Sequence, residues 1–254
     1  MSDLRKYGLI GASLVHSFSP GYFKRKFERE HIDYAEYKAY ELESIQEFPA
    51  LIEKGVDGLN VTIPYKKEVI PFLDALHVSA LEAGAANVIK SVNGKLIGYN
   101  TDVFGFAKSL VPFMKSMALR NALILGTGGA AQAVAVAFDK MDVLYEFVSR
   151  SGKHLRYTDL DEEKMAHVDI IVNTTPLGLY PELDVFPAIP YGLLNEEKLV
   201  YDLIYNPEKT VFLVKAEAHS AIIKNGMEML INQAEKTWQI WQQDIDLETH
   251  FEWM

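Results

Sequence analysis

Leu123-Ile124-Leu125-Gly126-Thr127-Gly128-Gly129-Ala130-Ala131-Gln132-Ala133 is the stretch from which the rest of the chain is read. An apolar run from Ala122 to Leu125 stops at a glycine, and small residues then open a helix-like segment. Strand, tight turn and helix in that order form a cradle for a pyrophosphate. Gly126 lets the chain turn, and Gly128 lets the backbone come close to the phosphates. The helix opening near Gly129 aims unpaired N–H groups and a positive dipole end at the anion. Ala131 takes the third position of G-x-G-x-x-G/A, where a small side chain lets helix and strand pack closely. A glycine-rich turn with no ligand shares this pattern, so the neighbouring strands have to carry the reading further.

The next strand of a dinucleotide domain ends about 20 residues after the glycines, usually in an acid that holds a ribose hydroxyl. Here that place reads Val148-Ser149-Arg150-Ser151-Gly152-Lys153. Two cations and two hydroxyls stand where a carboxylate would repel a phosphate, which favours NADP over NAD. The plain alternative is a solvated basic turn. Further strands are expected at Leu144–Val148, Ile170–Asn173, Leu199–Leu203 and Ala221–Ile223. Helical segments between them imply right-handed crossovers and a parallel, Rossmann-like sheet.

Before the glycine turn lies a second α/β pattern. Tyr7–Ile10, Ala35–Tyr40 and Val56–Ile63 read as strands. Ser19 before Pro20 reads as a helix start, with a hydroxyl cap and a proline whose missing N–H costs nothing there. Ser44…Glu47 and Ser79…Glu82 read as capping boxes. A helical segment is expected after Pro64, carrying Val69, Phe72, Leu73 and Leu76. Asn93-Gly94 between two alternating runs is a hairpin signal. Lys66 stands at the exit of a strand, where open α/β sheets bind ligands, and Lys67 beside it reads as solvated. Asp102, in Asn100-Thr101-Asp102 before a helix, reads either as a cap or as a functional acid. The amphipathic segment from Glu228 to Gln243 closes the chain, and its Met229, Leu230, Trp238 and Trp241 read as packing residues.

Composition narrows the function classes. The 254 residues are 49% hydrophobic and 24% charged, with a net charge of −10, which disfavours a nucleic-acid binder. An anionic ligand would be held by local cations and helix ends against that overall field. With no cysteine there is no disulfide framework and no thiolate nucleophile. The remaining histidines (His31, His77, His167, His250) lack metal spacing and read as surface or capping residues; no metal is expected. No secretion signal is apparent at the start, and no run approaches the roughly 18 to 20 apolar residues that cross a membrane. The expectation is a cytoplasmic protein with no membrane partner.

Taken together, several short segments resemble shikimate dehydrogenase over nearly the whole chain. They are Tyr7–Gly11, His16–Pro20, Asn60–Lys66, Gly84–Asn87, Gly98–Asp102, Gly126–Ala130, Asn173–Gly178 and Met229–Gln233. The resemblance implies two α/β domains with a cleft between them and an NADP-dependent interconversion of shikimate and 3-dehydroshikimate. It implies a substrate domain over 1–102, completed by 227–254, and an NADP-binding domain over 103–226. Residues matching Ser17 and Ser19 hold the substrate carboxylate, and those matching Thr62, Asn87, Tyr205 and Gln233 contact its hydroxyls or carboxylate. Those matching Lys66 and Asp102 form the catalytic pair and also bind substrate. Cofactor contacts are implied at Gly126, Thr127, Gly128, Gly129, Ala130, Ser149, Arg150, Ser151 and Lys153. Leu203 and Gly226 fall at the nicotinamide end, and Gly226 would permit close backbone approach. The Thr174–Pro187 loop is expected to border the cleft.

When hydride leaves a carbinol carbon, the hydroxyl proton must leave too; in reduction, a donor must neutralise the oxygen. A lysine has a reference pKa of about 10.4, and a nearby Asp102 favours its charged form. Lys66 is therefore expected to act as proton donor in ketone reduction. The chain departs from the family at three places: Asn-Arg-Thr becomes Ser149-Arg150-Ser151, with Lys153 and an exposed His154 following. Asn87 is followed by Val88 instead of threonine, and a frequent glycine is replaced around His219-Ser220. Competing readings are a quinate-active relative, a methylenetetrahydrofolate dehydrogenase with its own catalytic lysine, and a silent NADP sensor. Arg150 argues against an NAD-type relative, the Ser17/Ser19 pair against a folate, and the intact Lys66 and Asp102 against a sensor. Either a monomer or a homodimer is compatible with the sequence.

Overall fold

The computed structural model describes residues 4–15, 17–150, 152–243 and 246–252. Two compact units emerge: one holds the chain up to Thr101 together with Gln233–Glu252, the other Asp102–Asn232.

In the first unit the order is β1 (Arg5–Gly11), α1 (Phe18–Arg29), β2 (Ala35–Glu41), α2 (Phe48–Ile52), β3 (Gly58–Val61), β4 (Ala75–Leu76), α3 (Val78–Ala83), β5 (Val88–Val92) and β6 (Lys95–Tyr99). Its sheet runs β2-β1-β3-β5-β6-β4. The β1–β2, β1–β3 and β6–β4 pairs are parallel, and β3–β5 and β5–β6 antiparallel. The β5–β6 hairpin turns at Asn93 (φ 51°) and Gly94 (φ 77°), the left-handed pair that a two-residue loop requires. One face of the sheet is covered by an aliphatic core around Ile10, Phe48, Leu59, Val61 and Ile89. On the other, aromatic rings stack: Tyr7 on Trp241 at 4.5 Å and Phe23 on Tyr37 at 4.6 Å. Gly58 has to be glycine, because a Cβ there would lie 2.3 Å from Trp241 Nε1.

Three local expectations change. The first helix starts at Phe18, so Ser17 is its N-cap residue, with no side-chain cap bond, and Ser19 lies inside the first turn. The segment after Pro64 forms turns and a short 3-10 stretch at Ile70–Phe72. Pro71 supplies no N–H there, and Asp74 N–H is instead bonded to Leu96 O at 2.9 Å, so the chain is drawn into β4. For α3 the cap is His77: its Nδ1 accepts from Ser79 N at 3.1 Å. Ser79 Oγ instead accepts from Asn100 N at 3.0 Å. The capping box of Ser44 and Glu47 forms as read.

The second unit contains α4 (Asp102–Ser116), β7 (Asn121–Leu125), α5 (Gly129–Lys140), β8 (Leu144–Val148), α6 (Glu162–Ala166), β9 (Ile170–Asn173), β10 (Leu199–Asp202), α7 (Val211–Ala218) and β11 (Ile222–Lys224). Its sheet is wholly parallel, in the order β11-β10-β9-β7-β8. The strand order reverses between β7 and β9, the switch point at which such sheets bind ligands. Asp202, Asn173, Leu125 and Val148 pair in one register across the carboxyl edge, each the last residue of its strand. All four exit loops therefore leave from one line. Last comes α8 (Met227–Gln242), which begins in this unit and continues into the first. Its buried residues include Met229, Gln233, Ile240 and the series Ala234, Thr237, Trp238 and Trp241, the i, i+3, i+4, i+7 spacing of an amphipathic helix. Among the described residues no helix is long and apolar enough to cross a membrane, and no cluster of potential metal ligands is found.

Candidate active site

In the first unit, polar side chains gather where the apolar strands end. Asn87 is 3% exposed; its Oδ1 accepts from Thr101 N at 2.8 Å, and its Nδ2 donates to Thr101 Oγ1 at 3.1 Å. Thr101 Oγ1 lies 3.4 Å from Gln233 Oε1 and 3.2 Å from Thr237 Oγ1. Asn60 Nδ2 donates to Asn87 O and Thr237 Oγ1, both at 3.4 Å, while its Oδ1 accepts from Tyr37 Oη at 2.9 Å. Burial holds the Tyr37 hydroxyl pKa well above its usual value, partly offset by a hydrogen bond from Ser19. The backbone joins Lys66 to this group, because Ala86 N donates to Lys66 O at 2.8 Å. Thr62 caps the same stretch, its carbonyl accepting from Tyr65 N at 2.9 Å. Ser17, Ser19, Thr62 and Lys66 are half-buried, Lys67 is exposed, and Asp102 is buried and follows Thr101 directly.

In the second unit the glycine turn has the form a phosphate needs. Gly126 carries φ +108°, and a Cβ there would meet Thr174 Oγ1 at 2.7 Å, so the fold itself demands glycine. Gly128 and Gly129 differ: among the described residues no atom beyond the adjoining backbone lies within 4 Å of a Cβ at either. Gly128 is the N-cap residue of α5 and offers no side-chain cap, so the helix's first N–H groups face outward for an anion. A dinucleotide phosphate fits this opening. Thr127 is exposed and Ala130 half-buried beside it. Beyond β8 the loop is pinned by Ser149 N donating to Leu155 O at 2.8 Å. Arg150, Lys153 and His154 are exposed on it; Ser151 lies outside the described residues.

Leu203 and Tyr205 sit on the exit from β10, both half-buried, and burial pushes the Tyr205 hydroxyl pKa up. Gly226 is glycine for a reason within the chain: a Cβ there would lie 2.0 Å from Leu203 O. Its N–H also donates to Ile204 O at 3.1 Å.

A family model for the substrate-binding domain of shikimate dehydrogenase matches residues 9–89. A shikimate dehydrogenase (NADP(+)) of Methanococcus maripaludis is 36% identical over 259 residues, covering 94% of this chain and 92% of its own. The chain belongs to the shikimate dehydrogenase family. Among solved structures, a shikimate dehydrogenase of Peptoclostridium difficile is similar at 35% identity and a TM-score of 0.81, covering 95% of this chain and 93% of that one. The shikimate 5-dehydrogenase of Thermus thermophilus, solved in complex with NADP(H) and shikimate, aligns at 28% identity with a TM-score of 0.82, covering 93% of each chain.

Within this shikimate dehydrogenase fold, Asn60, Thr101, Thr237 and Tyr37 are polar partners that sequence reasoning passed over. Two carried a usable signal. Asn60 interrupts the apolar strand Gly58–Val61, and Thr237 lies one helical turn after Gln233, on the same face. The structure joins Lys66, Asn87, Thr101 and Gln233 through consecutive bonds; Ser19 enters through Tyr37, and Tyr205 stands in the other unit.

Proposed function

We propose that the protein catalyses the reversible, NADPH-dependent reduction of 3-dehydroshikimate to shikimate, with Lys66 and Asp102 as its acid–base pair. When bound, the cofactor supplies a hydride from C4 of its nicotinamide to the ketone carbon. Lys66 gives the proton that the ketone oxygen takes up and recovers it from solvent. Asp102 orients that ammonium and accepts from a neighbouring substrate hydroxyl. Ser17 and Ser19, at the start of α1, hold the carboxylate; Thr62, Asn87, Tyr205 and Gln233 hold the hydroxyls and fix the face presented to hydride.

One observation supports this assignment most directly. Asn87 uses both side-chain ends on Thr101, the residue before Asp102, while the adjoining Ala86 N–H holds the Lys66 carbonyl. Lys66 and Thr101 are thus bonded to two adjoining residues, Ala86 and Asn87. In the second unit, the open turn at Gly128 and Gly129 suits the pyrophosphate, with Gly126, Thr127 and Ala130 shaping it. Ser149, Arg150, Ser151 and Lys153 suit a 2′-phosphate. Leu203 and Gly226 complete the nicotinamide end.

The test is absorbance at the NADPH band after shikimate and NADP are added to purified protein. Growth of that band carries the reading, and tight NADP binding without turnover refutes it. Arms with NAD and with quinate separate this activity from that of a quinate-oxidising, NAD-dependent relative; Arg150 predicts a preference for NADP. A cytoplasmic setting and a monomeric or homodimeric state belong to the same reading, checked by cell fractionation and light scattering.

A further inference from the structure

Asp202 is fully buried at the end of β10 and faces neutral donors. Its Oδ1 accepts from Asn173 Nδ2 at 3.0 Å and Ile204 N at 3.1 Å, and its Oδ2 from Thr210 Oγ1 at 2.6 Å. Each donor belongs to a different piece of the carboxyl edge. Asn173 ends β9, and its Oδ1 in turn accepts from Thr175 N at 3.0 Å and Thr175 Oγ1 at 2.6 Å. Between those two residues Thr174 Oγ1 donates to Leu125 O at 2.6 Å, beside the Cβ space of Gly126. Ile204 follows Leu203 and accepts from Gly226 N. Thr210 is the N-cap residue of α7.

We propose that Asp202 is a positioning residue of the cofactor site, whose carboxylate sets the loops after β9 and β10 and the start of α7 in the register that the glycine turn and the nicotinamide end require. The inference rests on the reading of this unit as the NADP-binding one. An asparagine would fill the same space, but it carries no charge and its NH2 end only donates. Turned toward Asn173 and Ile204 it leaves two donors unpaired; turned toward Thr210 it makes that hydroxyl the acceptor, and no bond of the set then reaches a charged group. Keeping a buried carboxylate with no cation on it among the described residues is costly to the fold: burial raises the Asp202 pKa to about 6 against the hydrogen bonds that lower it. The titratable neighbour facing it is Tyr191, held neutral by burial and by the Asp202 charge, with Tyr157 beyond. Lys215 Nζ reaches the Tyr191 ring at 5.6 Å. A carboxylate retained at such a cost fits a task that a neutral isostere does not perform.

NADPH dissociation constants of wild type and Asp202→Asn, by fluorescence titration from pH 5 to pH 8, test this. At pH 8 the variant binds about tenfold more weakly, the loss expected for one hydrogen bond to a charged group. The ratio of the two constants falls toward unity by pH 5, where wild-type Asp202 is itself protonated; titration of the 2′-phosphate is common to both and cancels. KM for NADPH rises while kcat at saturation stays within about threefold. Thr210→Val keeps the acid but removes its shortest donor, so the acidic limb moves to higher pH, and Thr210→Ser restores it; this pair decides the matter should Asp202→Asn fail to fold. A ratio that is flat with pH, or a Thr210→Val limb that does not move, overturns the inference. Wild-type protein that does not bind NADPH overturns the cofactor reading itself, and the inference with it.

Discussion

Alanine at Gly128 separates what the glycine turn does for the fold from what it does for the cofactor. Gly128 has φ −76° and ψ −172°, a conformation open to alanine, and among the described residues no atom beyond its chain neighbours lies within 4 Å of the added methyl. Such a replacement restricts the unfolded chain, worth about 0.4–1 kcal/mol, and alanine's poorer fit at an N-cap offsets that gain, so Tm should stay within about 2 °C of wild type. With NADPH the change is a clear loss, because the methyl occupies the space through which the backbone N–H meets the phosphates. Losing one charge-assisted hydrogen bond is worth about 1.5–3 kcal/mol, a rise of about ten- to a hundredfold in Kd. Gly126→Ala is the contrasting variant. Its φ of +108° and the Thr174 Oγ1 at 2.7 Å place strain of about 1–3 kcal/mol on the folded state. Thermal unfolding and NADPH fluorescence titration on the same preparations read both effects. A Gly128→Ala protein as stable as wild type that binds NADPH equally well refutes the phosphate cradle, as does a loss of binding that merely tracks lost stability.

Other expectations follow from single residues. Arg150→Ser should raise KM for NADPH about ten- to a hundredfold and leave KM for NADH nearly unchanged in steady-state assays; equal effects on both would place Arg150 away from the 2′-phosphate. Lys66→Ala should lower kcat by about two to four orders of magnitude with a much smaller change in shikimate binding, and an unaltered kcat removes Lys66 from the chemistry. Ser220 holds φ +66° just past α7, a conformation costing a side chain about 1–2 kcal/mol. Allowing for glycine's greater freedom when unfolded, Ser220→Gly should stabilise by roughly 0.5–1 kcal/mol in denaturant titration; no gain would mean that the backbone there relaxes. Asp202 also makes a signed contribution to stability. The folded state keeps its proton to about pH 6 against a reference of 3.8, so the native form binds more protons in that window and stability falls as pH rises through it. The full penalty, about 3 kcal/mol from a shift of roughly two units, is reached above pH 6. From pH 4 to pH 7 the unfolding free energy of Asp202→Asn should therefore rise by about 2 kcal/mol more, or fall by that much less, than that of wild type, and an equal change in both would contradict the shifted titration.

Local chemistry was sufficient wherever a motif closes on itself. The Gly126–Ala131 turn, the Asn93-Gly94 hairpin and the Ser44…Glu47 box each specify their conformation within a few residues, and each appears as read. The resemblance marked a replaced glycine around His219-Ser220, and the structure adds that Ser220 holds a left-handed backbone there. The failures share a cause. Residues 64–76 have helical spacing, but Pro71 and the pairing of Asp74 with Leu96, 22 residues onward, pull them into turns and a strand. Ser79 looks like a cap and is claimed by Asn100, which leaves the capping to a buried imidazole.

Sequence by itself established two α/β halves, the glycine turn, a cationic strand end and the short motifs that identify the family, because spacing and residue type carry those over short range. Folding alone settled why Gly226 is glycine, which donors hold Asn87, and that one carboxylate bonds the end of β9, the exit of β10 and the start of α7. Those facts depend on backbone and side-chain atoms brought within about 3 Å from positions up to 29 residues apart, and one-dimensional spacing holds no record of such distances.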